Sequence, residues 1–227
     1  MNNYVMHRLQ QLHDHVMLPE SHVQYLKQLK REGVEPTCIY DIGCSVLHWY
    51  NQACDIWPHT QFVLMDALQS AEFLYKRTNC LYHVGVLSDS DRRVVRFYNN
   101  DWHPGGNSYY GENPAINPQG HLQDPHTHIQ LRTSHALDTL VHMHAWSVPD
   151  LIKMDVQGAE WDILRGAPRT LTHVKDLILE LQSVEYNQGA PLKHDVIDWL
   201  HTQGFRLVTK FCDNGPDADY HFTRRVS

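Results

Sequence analysis

An α/β fold is predicted, with a doubly wound, mostly parallel sheet, an antiparallel edge and helices ahead of the first strand. Three observations predict it. Short apolar runs at residues 38–43, 61–66, 81–86, 151–154 and 176–181 are bounded by turn residues and mostly separated by helical patterns. That alternation calls for βαβ crossovers and a parallel sheet. Five runs carry carboxylates at or just beyond their ends: Asp41, Asp66, Asp89, Asp155 and Glu180. In a doubly wound sheet such ends converge on one crevice. From Gly204 onward two strand patterns, residues 205–210 and 220–224, follow without a long helix between them. This is the pattern of an antiparallel edge pair.

Residues 1–35 form an N-terminal helical segment. Tyr4, Leu9, Leu12 and Val16 make a rough apolar stripe, and Pro19 interrupts it. A second helix runs over 21–30, with Ser21 as its N-cap and Gly33 as its stop. The two helices stand before the first strand and can cover one side of a ligand cleft.

The first strand runs into Asp41-Ile42-Gly43, where a glycine lets backbone approach a ligand without a Cβ in the way. The second strand ends on Asp66. A strand, loop, helix and strand followed by an acid about 20 residues on is the pattern for holding a ribose hydroxyl pair. The third strand leads into Ser88 and Asp89. Residues 93–98 then alternate like an antiparallel strand, and residues 128–133 read as its return. Between them, residues 99–125 are rich in Asn, Gly and Pro, with Trp102, His103, Asn107, Tyr109 and Tyr110 interleaved. A loop this long is commonly functional, and its aromatics, amides and histidine suit a polar, ring-shaped substrate. A helix starts at residue 137. The segment LIKMDVQGAEWDILRGA (151–167) is a strand ending on Asp155, a turn at Gly158 and an amphipathic helix with Glu160 in its first turn. Lys153 alternates with Asp155 along a buried strand, so its amine is expected to find an acidic partner. A last helix spans 193–202.

The chain has 227 residues, the length of a single domain over 1–227. Its formal net charge of -7 disfavours a nucleic-acid partner. No apolar run approaches the ~18 residues of a membrane span, and the N-terminal stretch lacks the apolar core of a secretory signal. A cytoplasmic protein is expected. Five cysteines without a CxxC pair argue for reduced thiols rather than disulfides or a Cys-type zinc site. The 18 histidines include three HxH pairs (His13/His15, His126/His128, His142/His144). On a strand such a pair faces one way, but no third ligand stands at a metal-site spacing, so no metal site is assigned.

These residues resemble the FkbM family of S-adenosylmethionine-dependent O-methyltransferases, over roughly residues 40–224. The most specific part is LIKMDVQGAEWDILRGA, preceded by Leu137-Asp138-Thr139-Leu140. Asp41-Ile42-Gly43, Asp66 and the run ending at Asp89 agree with it. Two positions depart: Leu47 stands where the family's first loop has its last glycine, and Asp66-Ala67 stands where glutamate-proline is usual.

The resemblance implies a seven-stranded methyltransferase sheet with S-adenosylmethionine as cofactor. Asp41, Gly43 and Cys44 would form the cofactor loop, Asp66 would bind the ribose hydroxyls, and Ser88 and Asp89 would flank the adenine. Asp155 would lie near the methyl-transfer centre. The acceptor would be a hydroxyl of a sugar, glycan or related small molecule. Asp155, His103 and Glu180 are candidates for the base that takes the hydroxyl proton; Trp102, Asn107, Tyr109 and Glu160 are candidates for contacting the acceptor. A divalent metal between Asp155 and a second carboxylate is compatible with the chemistry but not required by any motif. The alternatives are an RNA 2′-O-methyltransferase, which would want a basic path, and a non-catalytic binding module that kept the fold.

Overall fold

The computed structural model describes residues 3–15 and 17–225; Val16 of the first apolar stripe lies outside them. Helices α1 (Asn3–His15) and α2 (Glu20–Arg31) precede strand β1 (Cys38–Ile42). Then come α3 (His48–Ile56), β2 (Gln61–Asp66), α4 (Glu72–Tyr75), β3 (Leu81–Val84), β4 (Val86–Ser88), β5 (Val94–Asn100) and β6 (Thr127–Ala136). The chain continues through α5 (Leu137–His144), β7 (Leu151–Met154), α6 (Glu160–Arg165), α7 (Pro168–Leu171) and β8 (Asp176–Gln182). It closes with α8 (Lys193–Thr202), β9 (Phe205–Asp213) and β10 (Asp217–Arg224).

Seven strands form the main sheet in the order β3-β2-β1-β7-β8-β10-β9. The β3/β2, β2/β1, β1/β7 and β7/β8 pairs are parallel, and the β8/β10 and β10/β9 pairs are antiparallel. The doubly wound sheet with an antiparallel edge is therefore as the sequence predicts. Period-2 alternation divides the strand residues between two cores. Tyr40, Ile42, Ile152, Met154, Leu177 and Leu179 pack on one face with Ile163, Leu171 and Leu200. Ile39, Leu151 and Ile178 pack on the other with Leu9, Leu26 and Trp49. Each such side chain, fully buried, contributes about 1.5–3 kcal/mol. The polar residues Asp41, Lys153 and Glu180 share the parity of the second face, near the strand ends, so they emerge beneath α2 and α3.

Several local expectations change. The third apolar run, 81–86, is two strands. β3 stays in the main sheet, whereas β4 pairs with β6 in a separate three-stranded sheet, β4-β6-β5. The break falls at Gly85, where any Cβ would meet the His83 ring at 2.4 Å. Pro19, not Ser21, occupies the N-cap of α2; Ser21 lies inside the helix with its hydroxyl 3.6 Å from Cys212 Sγ. The helical pattern expected through Ala167 stops at Arg165. Gly166 lies so close to the Ser88 carbonyl that a Cβ would sit 2.3 Å from it, and Pro168 opens α7 at a position where its missing N–H is harmless.

The 99–125 segment is a built loop. Ser108 bridges back to Tyr98, and Glu112 bridges to Asn187. Asn113 N donates to the Tyr186 carbonyl at 2.6 Å, and Gln188 N donates to the Gly111 carbonyl at 2.7 Å. These bonds fasten the loop to the segment after β8, across the strand ends. No helix among the described residues is long and apolar enough to cross a membrane.

Candidate active site

β1 and β7 run side by side with Asp41 opposite Lys153. Lys153 Nζ is 3.4 Å from Asp41 Oδ1 and 3.7 Å from Asp155 Oδ2, and it donates to the Gly43 carbonyl at 3.2 Å. The expected acidic partner is thus two carboxylates. Asp41 is fully buried and neither of its oxygens accepts a hydrogen bond of good geometry. Burial pushes it up to about 6, against the pull of Lys153. Burial opposes the charge on Lys153 too, but Asp41 and Asp155 outweigh it and hold the amine above its ordinary value.

Just beyond β1, Gly43 adopts φ +79°. A Cβ there would lie 1.8 Å from the Asp155 carbonyl oxygen, so the two strand ends can touch only through a glycine. Leu47, which stands in place of a second glycine, keeps the left-handed backbone a glycine would take (φ 72°) and caps α3 from the buried core. Between them, Ser45 donates its N–H to Asp66 Oδ2 at 2.6 Å, and Leu68 N donates to Asp66 Oδ1 at 2.7 Å. Burial raises Asp66 and these two amides oppose the rise.

The strand ends open on a cleft lined by Gly43, Ser45, Asp66, Leu87, Phe97, Asn107, Tyr109, Asp155 and Ile163 among others. One half is apolar; the other carries the acids. A second compartment lies between α2, α3 and the β9–β10 turn, bordered by His22, Cys44, Lys153, Asp155, Glu180 and Asp219. A third, more open pocket is bordered by His48, Trp102, His103, Glu112, His121, Asp124 and Asp155. Asp155 borders all three spaces. Its side chain is 38% exposed. Desolvation works against its charge, yet Lys153 and hydrogen bonds from Glu180 and Gln157 hold it below the ordinary carboxylate value. Glu180 goes the other way: burial, then Asp155 and Asp217, drive it well up. Gln157 Nε2 joins the two, donating to Asp155 Oδ1 at 3.0 Å and Glu180 Oε2 at 2.7 Å. Two carboxylates bridged by one amide therefore stand at the junction, pushed in opposite directions by their surroundings.

Of the residues picked from sequence, the structure brings Gly43, Asp66, Asn107, Tyr109 and Asp155 to the first cleft, Cys44 and Glu180 to the second space, and Trp102 and His103 to the third. Asn107 offers its Nδ2, a buried donor without a partner. The Tyr109 hydroxyl is taken by Asp162 at 3.0 Å, so its ring rather than its oxygen faces the cleft. Four picks lie away from the cleft. Asp41 sits behind it, on Lys153. Ser88 is fully buried, and Asp89 is held by Arg165 at 2.7 Å and Arg93 at 3.4 Å. Glu160 is 3% exposed and accepts from Val156 N at 2.9 Å, securing the turn into α6. Burial pushes it up to about 7.

Sequence reasoning missed Ser45, Gln157 and the apolar wall of Leu87, Phe97 and Ile163. Gln157 carried a signal, an amide two residues after the acid and directly before Gly158; the apolar wall carried none that separates it from core. Among the described residues, one His/Cys/carboxylate group has ligand atoms close enough for a metal: His22, Cys212 and Asp219. Trp49 Nε1 donates to His22 Nε2 at 2.9 Å, so the ring carries its hydrogen on Nδ1, 3.2 Å from Asp219. That Nδ1 has no lone pair to give a metal. All five cysteines are free thiols.

Residues 56–207 match the family model described as the Methyltransferase FkbM domain. The chain is 24% identical over 223 residues to the 2-O-methyltransferase NoeI of Sinorhizobium fredii, spanning 90% of this chain and 87% of NoeI. Among solved structures it is similar to precorrin-6y C5,15-methyltransferase from Geobacter metallireducens, at 10% identity and TM-score 0.48, over 93% of this chain and 92% of that one. It is also similar to human N-acetylserotonin methyltransferase in complex with SAM, at 9% identity and TM-score 0.48, over 98% of this chain and 56% of that one.

Proposed function

We propose that this chain, which belongs to the FkbM methyltransferase family, uses S-adenosylmethionine to methylate a hydroxyl of a sugar, glycan or related small molecule. The observation that carries the reading is the position of Asp155, a carboxylate beside Lys153 at the junction of the cleft and two further pockets. A donor in the first and an acceptor in the last would meet there.

The cleft residues fit the donor. Asp66 accepts one hydrogen bond on each oxygen, which leaves lone pairs for ribose hydroxyls. Leu87, Phe97 and Ile163 offer an apolar wall for a flat base. Asn107 Nδ2 is an unspent donor beside them. Asp155 favours a positive centre by simple Coulomb attraction. When bound, S-adenosylmethionine supplies an electrophilic methyl group on a sulfonium. The protein's part is to orient that group, align the acceptor oxygen behind it and receive the hydroxyl proton.

The open pocket suits a sugar. Trp102 offers a face for ring stacking, and His48, Gln119 and His121 offer polar groups. The net charge of -7 speaks against a polyanionic acceptor. The similarity to NoeI, a 2-O-methyltransferase, agrees with an oxygen nucleophile.

Calorimetry with S-adenosylmethionine, followed by a methyl-transfer screen over a glycan panel with donor turnover as readout, tests the reading. Binding below millimolar and turnover of a glycan are expected; no binding at millimolar donor refutes it. Asp155→Asn should lower turnover well beyond threefold.

A further inference from the structure

The 99–125 loop carries an imidazole set up differently from the other polar groups around the site. His103 Nδ1 lies 2.7 Å from Asp124 Oδ2. Asp124 is itself fixed: its Oδ1 accepts from His126 N at 2.8 Å, and its carbonyl accepts from Thr127 N at 3.0 Å. The His126 amide and His103 together hold it down to about 2. The backbone of His103 is fixed by the fully buried Asn100, whose Oδ1 accepts from Trp102 N at 2.8 Å and His103 N at 3.0 Å. Asn100 Nδ2 in turn donates to Thr127 Oγ1 at 3.1 Å. One short network therefore holds both the ring and the carboxylate.

An ionised carboxylate only accepts, so the shared hydrogen belongs to Nδ1 and the neutral ring carries its lone pair on Nε2. The side chain is 63% exposed and borders the pocket that Asp155 also borders. The other candidates for receiving a proton are already engaged. Asp155 is ion-paired to Lys153 at 3.7 Å, and both Glu180 oxygens accept hydrogen bonds, from Gln157 Nε2 at 2.7 Å and Asn214 Nδ2 at 3.2 Å. The charged and titratable groups facing the same pocket are His48, Glu112, His121, Asp124 and Asp155, and Arg8 reaches it by donating to the Trp102 carbonyl at 3.3 Å.

We propose that His103 Nε2 receives the acceptor's hydroxyl proton and that Asp124 is the residue that positions it. The inference rests on the methyl-transfer reading above. In the step, the hydroxyl oxygen forms a bond to the methyl carbon. The carbon–sulfur bond breaks with its electron pair going to sulfur, which turns the sulfonium into a neutral thioether. The hydroxyl proton passes to Nε2, and the resulting imidazolium keeps its Nδ1–H on Asp124. Asp124 acts through the ring, fixing its tautomer and stabilising its charge.

Two measurements on the full chain test it. In ¹⁵N-histidine-labelled protein, two-bond proton–nitrogen spectra read the His103 tautomer, assigned by its loss in His103→Gln. Nδ1–H is expected in the wild type, and Asp124→Asn, whose amide can donate to Nδ1, shifts a measurable share to Nε2–H. A wild-type ring in the Nε2–H form, or one indifferent to Asp124→Asn, overturns the pairing. In turnover of a methyl glycoside panel with S-adenosylmethionine, His103→Gln should lower kcat at least about 100-fold and Asp124→Asn at least about tenfold, at unchanged KM for the donor. Wild-type kcat in His103→Gln overturns the role of the ring. A wild type that binds no S-adenosylmethionine and methylates no glycoside counts against the methyl-transfer reading, and the tautomer measurement then still decides the pair.

Discussion

Replacing Gly43 by alanine should unfold much of what the site depends on, and the size of the effect can be worked out. The residue sits at φ +79°, which costs a side chain about 1–2 kcal/mol by itself. The added Cβ would also stand 1.8 Å from the Asp155 carbonyl oxygen, 2.7 Å from its carbon and 3.1 Å from Val156 Cγ1. Relief requires β1 and β7 to part at their ends. Both are tied there, because Gly43 N donates to the Met65 carbonyl at 2.8 Å and Asp155 N donates to the Ile42 carbonyl at 3.1 Å. Overpacking against a fixed backbone adds about 1–3 kcal/mol. The sum, about 2–5 kcal/mol, corresponds to a fall in Tm of roughly 5–20 °C for a domain of this size. Gly33 provides the control. It has φ +91°, but a Cβ added there would meet nothing within 4 Å, so Gly33→Ala carries the backbone penalty alone. Thermal and urea unfolding of both variants, with calorimetry against S-adenosylmethionine, separates the contributions. Equal losses of stability in the two variants would refute the close-approach argument.

Other predictions follow from the same contacts. Lys153→Met leaves Asp41 buried without a counter-ion and should cost about 3–5 kcal/mol in urea unfolding; adding Asp41→Asn should recover at least half of it. Glu160 has a folded value of about 7, well above the ordinary carboxylate range, so its contribution to stability is full below pH ~4.3 and is lost as pH rises through about 7. Glu160→Gln keeps an acceptor for Val156 N and should flatten the wild-type decline between those values, by an amount on the order of 3 kcal/mol; an unchanged pH slope would show that the carboxyl is not desolvated as described. Leu47→Gly relieves a left-handed leucine, about 1 kcal/mol, but empties a buried site worth about 2–3 kcal/mol, so the variant should be less stable by chemical denaturation.

The sheet was legible because buried strands announce themselves as short apolar runs, and their order follows from the crossover rules. Asp155 was legible for the same reason: a strand end before a helix faces the crevice. What stayed hidden depends on contacts between distant segments. Nothing in LYHVGV tells that Gly85 sends the chain into a second sheet, because the valines on either side of it read as one continuous strand. Ser88 and Asp89 follow a strand as the site acids do, but Arg93 and Arg165 draw Asp89 away from the cleft. Glu160 is a helix-end acid by position, and its burial under the 155–158 turn is a packing result. The partnership of His103 with Asp124 spans a loop whose path no periodicity describes.

The wall of the second compartment has a temporal consequence. It is made by His22 on α2 and Asp219 on β10, joined at 3.2 Å across 197 positions of sequence. Tyr25 likewise stacks on Phe211 at 4.2 Å and bonds His221 at 2.8 Å. The ribosome releases these partners far apart in time. At about 5–20 residues per second, α2 waits on the order of ten seconds or more for the hairpin it docks against. Through that interval His22 and Tyr25 lack their partners, and the nascent chain exposes the ring faces that Phe211 covers in the finished molecule. A chaperone that engages the growing chain would find its binding stretch there, and would be displaced by the arrival of β9 and β10.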